Sequence, residues 1–372
     1  MVKIAVVLIV VLLVVVILIT PSVQNVIAQF LLSPFQERVP KNATYTLERT
    51  LSVDANGGTI SSFTLDLPLP RHVQGDDYSL QSVISVTDSP HGEQVIRYGY
   101  EWKVWDHGPL TGAQTYVVHI TYQIRVDTYI WEIDGQSAGT TDDVPIGVKN
   151  SYLHNEWASG DSWMIDTTAP AIQQKAQEIV GGETNVYTIL QRIYQWTTEN
   201  VGYSSSGLTG EPKTSLETLE SLMGDCDDQA LLFCSLARAS GVPAWLQLGA
   251  LYDRSHDSWF GHGWVQAYVP LQDGGYENVV IDTVNRDFLR WMPNRIVEYT
   301  DDGNGDHLSD FYYSFNYYYD DGTYLPGQGP LYEEEYISID HSESAETVVV
   351  GSILASSIQW EVAPSRLKSL GA

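Results

Sequence analysis

Between residues 43 and 133 apolar and polar positions alternate with a period of two. The alternation is visible in Thr44-Tyr45-Thr46-Leu47 and in Ser61-Ser62-Phe63-Thr64-Leu65-Asp66-Leu67. It is clearest in Ile96-Arg97-Tyr98-Gly99-Tyr100-Glu101-Trp102-Lys103-Val104, and it closes in Thr115-Tyr116-Val117-Val118-His119-Ile120-Thr121-Tyr122-Gln123-Ile124. With Gly, Pro and Asp as punctuation and no helical period, this predicts a β-sandwich of about seven strands. Residues 134–166 are mixed in pattern and read as a connecting region. Helical periodicity then appears over 171–180 and 186–200. Thr214-Ser215-Leu216-Glu217 has the form of a capping box, opening a short helix that runs to 223 and stops at Gly224. A second helix is predicted from Cys226 to Ala239, with Gly241 just past its end and Pro243 behind it. On that helix Cys226, Ala230, Phe233, Cys234 and Ala237 form one apolar stripe, so Cys226 stands at the N-terminal tip of the core-facing side.

Period-two alternation returns downstream. Gly261-His262-Gly263-Trp264-Val265-Gln266-Ala267-Tyr268-Val269 leads through the polar turn Asp273-Gly274-Gly275 into Tyr276-Glu277-Asn278-Val279-Val280-Ile281-Asp282-Thr283, a predicted β-hairpin. With 271–275 as the loop, Val269 faces Glu277, and Asp282 comes diagonally beside His262 on one sheet face.

The N-terminus breaks the globular pattern. Residues 4–19 are an uninterrupted apolar run behind a single Lys3. That length suits a slightly short spanning helix, and Val26-Ile27-Ala28 suits a cleavage site, so residues 1–32 read as a membrane anchor or a signal segment. On either reading the rest of the chain is expected outside the cell membrane, with 33–42 as a linker.

The charge balance narrows the partners. Against 47 Asp and Glu stand 19 Lys and Arg, of which seven are Lys, for a net charge of −28. A chain this acidic repels phosphate backbones, which excludes nucleic acid as a partner. An acidic, lysine-poor exported surface suits a salty exterior such as an archaeal one. The 372 residues leave room for two or three domains.

A thiol at a helix N-terminus sits where unpaired N–H groups favour a thiolate or an oxyanion. Asp225, Asp227 and Asp228 act against a thiolate unless they cap the helix or point to solvent. A thiol above an imidazole with a carboxylate beside it is a nucleophile, base and orienter arrangement, which makes Cys226, His262 and Asp282 the candidate catalytic residues. Cys234, mid-helix among apolar neighbours, reads as inert core. Eight helical residues separate it from Cys226 by about 12 Å, too far for a disulfide. His256, in the polar stretch Asp253-Arg254-Ser255-His256-Asp257, reads as solvated.

The succession of Gly224-Asp225-Cys226, His262-Gly263-Trp264-Val265 and Ile281-Asp282-Thr283 resembles the transglutaminase-like superfamily, a papain-related group with a Cys-His-Asp triad. The likeness covers about residues 185–290. It implies a transglutaminase-like (papain-like) α+β catalytic domain over 167–300; with the N-terminal membrane helix and the β-sandwich over 43–133 read from the pattern, and an acidic, aromatic, β-rich extension over 301–372, the fold class is α+β. The likeness further implies a thioester acyl-enzyme formed on a protein or peptide substrate and resolved by water or an amine. Tyr203, Trp196 and Trp264 are the residues it would set around the oxyanion or substrate. In two places the sequence departs from the family pattern: no Pro follows Asp282, and Tyr276 stands where a Trp is often found. These departures leave room for a member that has lost activity and serves as a surface binding or scaffold module. No cofactor is required by this chemistry. Asp302, Asn304, Asp306 and Asp310 place oxygen donors at intervals similar to a calcium loop, although His307 and Tyr313 break the EF-hand form. The tail 347–354 is too short to span a bilayer and reads as a final strand.

Overall fold

The computed structural model describes residues 36–204, 212–312, 315–319, 324–325 and 328–352. The candidate membrane or signal segment, residues 1–32, lies outside the described residues. Among the described residues no helix is long and apolar enough to cross a membrane. Within the expected linker, Gln36–Pro40 is a strand, paired with Thr347–Ser352 in a small two-stranded sheet.

The alternating region forms two antiparallel sheets. In the first, Asn42–Asp54 lies between Leu331–Glu343 and Thr115–Asp127, followed by Ser79–Ser89 and the short Val73–Gln74. In the second, Thr59–Pro68 lies between Phe315–Tyr319 and Tyr100–His107, with Glu93–Arg97 beyond. Every second residue of Asn42–Asp54 is buried, from Ala43 to Val53, as a strand with one face in a core requires. Tyr116 of the first sheet packs on Phe63 and His107 of the second, so the buried faces meet there. Both sheets are completed by strands from beyond residue 310, whose partners lie 250 residues or more away along the chain. Part of the predicted C-terminal extension is therefore built into these sheets.

A second layered body holds the predicted helices. Its antiparallel sheet runs Asp287–Phe288, Tyr276–Asp282, Ser258–Pro270, Ala244–Asp253, Arg295–Thr300. The hairpin register is the one the turn predicts, with Val269 opposite Glu277. The helix Cys226–Ala239 packs on the two central strands, and Pro170–Val180, Val186–Asn200 and Ser215–Ser221 pack around it. Residues 228 to 238 of that helix are consequently buried on every side, a wider burial than the single apolar stripe predicts. Arg238 reads as polar, yet its guanidinium is fully buried between Glu156 at 2.7 Å and Asp301 at 3.6 Å. Leu231, Leu232, Phe233 and Leu236 are likewise buried, each worth about 1.5–3 kcal/mol by transfer from water.

The sheets and the helical body share polar contacts. Gln81 donates to Val297 O at 2.8 Å and accepts from Val297 N at 2.8 Å, while Arg49 bridges Glu298 and Glu334. These contacts hold the edge strand Arg295–Thr300, which matters for the site below.

Candidate active site

Local chemistry fixes the turn that presents Cys226. Thr214 and Glu217 form the predicted capping box, but the helix they open ends at Ser221 rather than at 223. Leu222 takes a left-handed conformation at φ 51, and Met223–Gly224 becomes a short strand parallel to Gly202–Tyr203. Gly224 is required there, because a Cβ would stand 2.6 Å from Asp228 Cβ. Asp225 is the N-cap of the next helix and forms a second capping box with Asp228. Two of the three flanking aspartates thus cap the helix.

The hairpin lies directly under this helix tip. A Cβ on Gly263 would meet Leu248 Cδ2 at 3.1 Å and Asp227 Cβ at 3.4 Å, so a residue without a side chain lets strand and helix approach. The backbone N–H of Gly263 interacts with the Cys226 thiol, one residue along from His262. His262 Nε2 lies 2.8 Å from Asp282 Oδ2. Asn285 Nδ2 also lies 2.9 Å from Nε2, but it donates to Asp282 as well; with the ionised Asp282 as the acceptor, Nε2 carries the proton and Nδ1 is left as the basic nitrogen. Burial alone would raise the Asp282 carboxyl. The His262 and Arg295 charges and the Asn285 N–H outweigh burial and hold it well below the usual carboxylate range.

Asp282 collects donors from several directions: Asn285 Nδ2 at 2.7 Å, Asn285 N at 2.9 Å and Arg295 Nη1 at 3.0 Å. Arg295 also donates to Asp287, and its guanidinium lies over the Trp264 ring, 5.7 Å from its centroid. Gln229 of the Cys226 helix accepts from Thr283 at 3.2 Å and donates to Gly224 O at 3.1 Å, tying the thiol turn to the end of the Asp282 strand.

The thiol itself is pushed well above its ordinary range, first by burial and then by Asp227 and Asp225. The Gly263 N–H works in the other direction. Ligand atoms of Asp225, Cys226 and Asp227 lie within 4.8 Å of one another, and burial together with Asp227 raises the Asp225 carboxyl. Burial and the two aspartates thus disfavour the thiolate in this conformation, in which the Gly263 N–H is the partner of Sγ. Sites of this kind often tighten only with substrate bound.

The remaining predicted residues divide. Tyr203, 40% exposed, pairs with Gly224 and lies in the field of Cys226, Asp225 and Asp227. Trp264 is 1% exposed and packs against the His262 ring at 5.7 Å, with Nε1 donating to Gln247 at 2.9 Å, so it supports the imidazole from below instead of lining the surface. Trp196 sits under the Lys175 ammonium, 5.3 Å from its ring centroid. Cys234 is fully buried, and His256 is exposed and bonded to Asp253. Asp302 and Asn304 precede the helix Gly305–Tyr312, Asp306 lies in its first turn and Asp310 in its second. Asp302 accepts from Asn304 N and faces His307, Asn304 accepts from Asp306 N, and Asp310 accepts from Tyr98. Among the described residues, the carboxylates of this loop do not gather within 4.8 Å of one another.

Sequence reasoning missed four participants. Asn285 follows Asp282 at the spacing of a side-chain-capped turn, a signal that was available. Gln229, Arg295 and Tyr312 carried none. Tyr312 comes from the far end of the chain to donate to Asp227 at 3.2 Å.

Residues 173–282 match the family model described as the transglutaminase-like superfamily. This segment is a transglutaminase-like domain. Its match begins in the helix Pro170–Val180 and ends at Asp282, so it takes in Cys226, His262 and Asp282. A candidate cysteine protease from Cytophaga hutchinsonii has a similar structure, with TM-score 0.52 at 16% identity, covering 82% of this chain and 93% of that one. A candidate protease from Parabacteroides distasonis gives TM-score 0.27 at 11% identity over 71% of this chain and 48% of that one. The periplasmic domain of TgpA from Pseudomonas aeruginosa gives TM-score 0.30 at 11% identity, covering 66% and 88%. A comparison with curated proteins gives no match. The transglutaminase-like domain therefore carries its thiol, imidazole and carboxylate on the helix tip, the central hairpin strand and the end of the next strand.

Proposed function

We propose that this chain is an exported, membrane-anchored cysteine enzyme that forms a thioester on Cys226 from a peptide or carboxamide carbonyl. The observation that carries this reading is the 2.8 Å His262–Asp282 contact under a helix tip whose thiol rests on the neighbouring Gly263 N–H. His262 Nδ1 takes the thiol proton as sulfur attacks the carbonyl carbon, and Asp282 holds the imidazole and balances its charge. The backbone N–H of Cys226 faces the oxyanion. The C–N bond then breaks, the proton on His262 passes to the departing amine, and a thioester remains. Water or an amine attacks that thioester, giving hydrolysis or transamidation, and the thiol is restored. The apolar run over residues 4–19 supports the anchor. Incubation with a peptide library, with and without a primary amine and read by mass spectrometry, tests the reaction. Peptides that are neither cleaved nor deamidated nor joined to the amine would refute it.

One feature favours a second reading, a surface binding or scaffold module without catalysis: burial and two neighbouring aspartates oppose the thiolate. Iodoacetamide labelling across pH separates the two. A Cys226 that reacts identically in wild type and His262→Ala supports the scaffold, and a wild type several-fold faster supports the enzyme.

A further inference from the structure

The strand Arg295–Thr300 is an edge of the domain's sheet, and two strands separate it from the strand that ends at Asp282. Arg295 nevertheless reaches Asp282 with one guanidinium nitrogen, at 3.0 Å, and Asp287 with another. The guanidinium is 1% exposed, and its Nε has no partner. A buried ion cluster with an unsatisfied N–H is a poor source of stability, since its desolvation offsets most of the attraction. Its geometry has a different use.

We propose that Arg295 is a positioning residue for the Asp282–His262 pair, fixing the carboxylate oxygen that faces the imidazole and keeping both neighbouring carboxylates ionised. The inference rests on the reading of Cys226, His262 and Asp282 given above. Asp282, Asp287 and Arg295 together carry one net negative charge, which a protonated His262 completes to zero. Without the guanidinium the two buried carboxylates lose the cation that both share, and their affinity for a proton rises, at Asp287 first and then at Asp282. A protonated Asp282 can neither accept from Nε2–H in the same way nor balance an imidazolium. Burial already raises Asp287 to about 6 even with Arg295 in place, so the margin near neutral pH is narrow. The other groups facing this cluster are His262, Arg290 at 3.6 Å from Asp287, Tyr194 from the helix Val186–Asn200, and Cys226. Of these, His262 and Arg290 are basic, and Arg286 adds a further positive charge acting on Tyr194.

The test is the pH dependence of iodoacetamide alkylation at Cys226 in the full chain. Wild type, Arg295→Met, Arg295→Lys and the double variant Arg295→Met/Asp287→Asn are compared, with folding checked by circular dichroism. In Arg295→Met the acid limb is expected to move up by at least about one unit, lowering the rate at pH 6 about tenfold. Removing the competing carboxylate in the double variant should bring the limb back toward wild type, a rescue that a purely structural role would not give. Arg295→Lys keeps the charge and should keep the limb while slowing the rate a few-fold. A folded Arg295→Met with an unmoved limb overturns the proposal, as does a double variant shifted as far as the single. If Arg295→Met does not fold, Asp287→Asn decides. Its limb should move to lower pH because Arg295 then serves Asp282 alone, and an unchanged limb overturns the proposal. A wild type no faster than His262→Ala removes the enzymatic reading itself, an outcome distinct from the others.

Discussion

The two aspartates beside the thiol offer a sharp test of the site's electrostatics, and Asp227→Asn is the cleanest perturbation. Asparagine keeps the shape and one of the two oxygens: Oδ1 can still accept from Asp228 N, now at 3.0 Å, while the amide nitrogen takes the place of Oδ2 and can donate to the Tyr312 hydroxyl, now at 3.2 Å. It removes one negative charge within 4.8 Å of the sulfur. Coulomb's law gives about 3.5 kcal/mol at that distance for an effective dielectric of ~20, and about 1.7 kcal/mol at ~40. The thiol should therefore fall by about 1.3 to 2.5 pH units. A less basic thiolate is also a weaker nucleophile, which cancels roughly half of the logarithmic gain, so alkylation at pH 7 should rise about 5- to 20-fold. Stopped-time iodoacetamide labelling followed by peptide mass spectrometry measures this at Cys226, with buried Cys234 as the internal unreactive control. A folded Asp227→Asn whose Cys226 reacts at the wild-type rate or slower would show that this carboxylate does not oppose the thiolate, and the electrostatic account would fail.

Other outcomes follow from the same geometry. His262→Ala removes the base and should lower acyl transfer about 100-fold or more, measured with any peptide the wild type turns over. Asp282 is held below its ordinary range in the native state, so its contribution to stability is complete above about pH 4–5 and is lost as pH falls further. Urea unfolding should accordingly show the gap between wild type and Asp282→Asn closing on acidification, and a gap that widens would contradict the sign. Asp287, raised to about 6, works oppositely, shedding stability as pH climbs from about 4 to about 6. Gly249→Ala would set a Cβ 2.0 Å from the Ile296 carbonyl oxygen, at the irregularity where its strand meets Arg295–Thr300. A loss of about 2 kcal/mol or more is expected in denaturant titration, with Cys226 reactivity falling alongside because Arg295 is displaced.

Local signals were legible in the sequence wherever the physics is local. The capping box at Thr214, the helix from Cys226 and the hairpin register at Val269 each depend on residues within about a dozen positions. That register was enough to bring His262 and Asp282 together. Hidden from the sequence were long side chains that cross a sheet and strands that return from far along the chain. Arg295 looks like one of the polar positions of its strand, with Glu298 and Thr300, and nothing in its neighbours says that its guanidinium ends beside Asp282. Tyr312 reads as part of an aromatic run, yet it closes the helix Gly305–Tyr312 next to Asp227. Arg238 breaks the apolar stripe only until Glu156 and Asp301 are seen around it.

The most direct test of the central claim is the intact mass of the protein quenched in acid seconds after mixing with a glutamine-containing peptide. The account predicts a covalent adduct on Cys226, one ammonia lighter than the peptide if the carboxamide reacts, or an N-terminal fragment if the peptide bond does. The adduct should be absent in Cys226→Ala. An unchanged wild-type mass across peptides and pH, or an adduct that persists in Cys226→Ala, would contradict it.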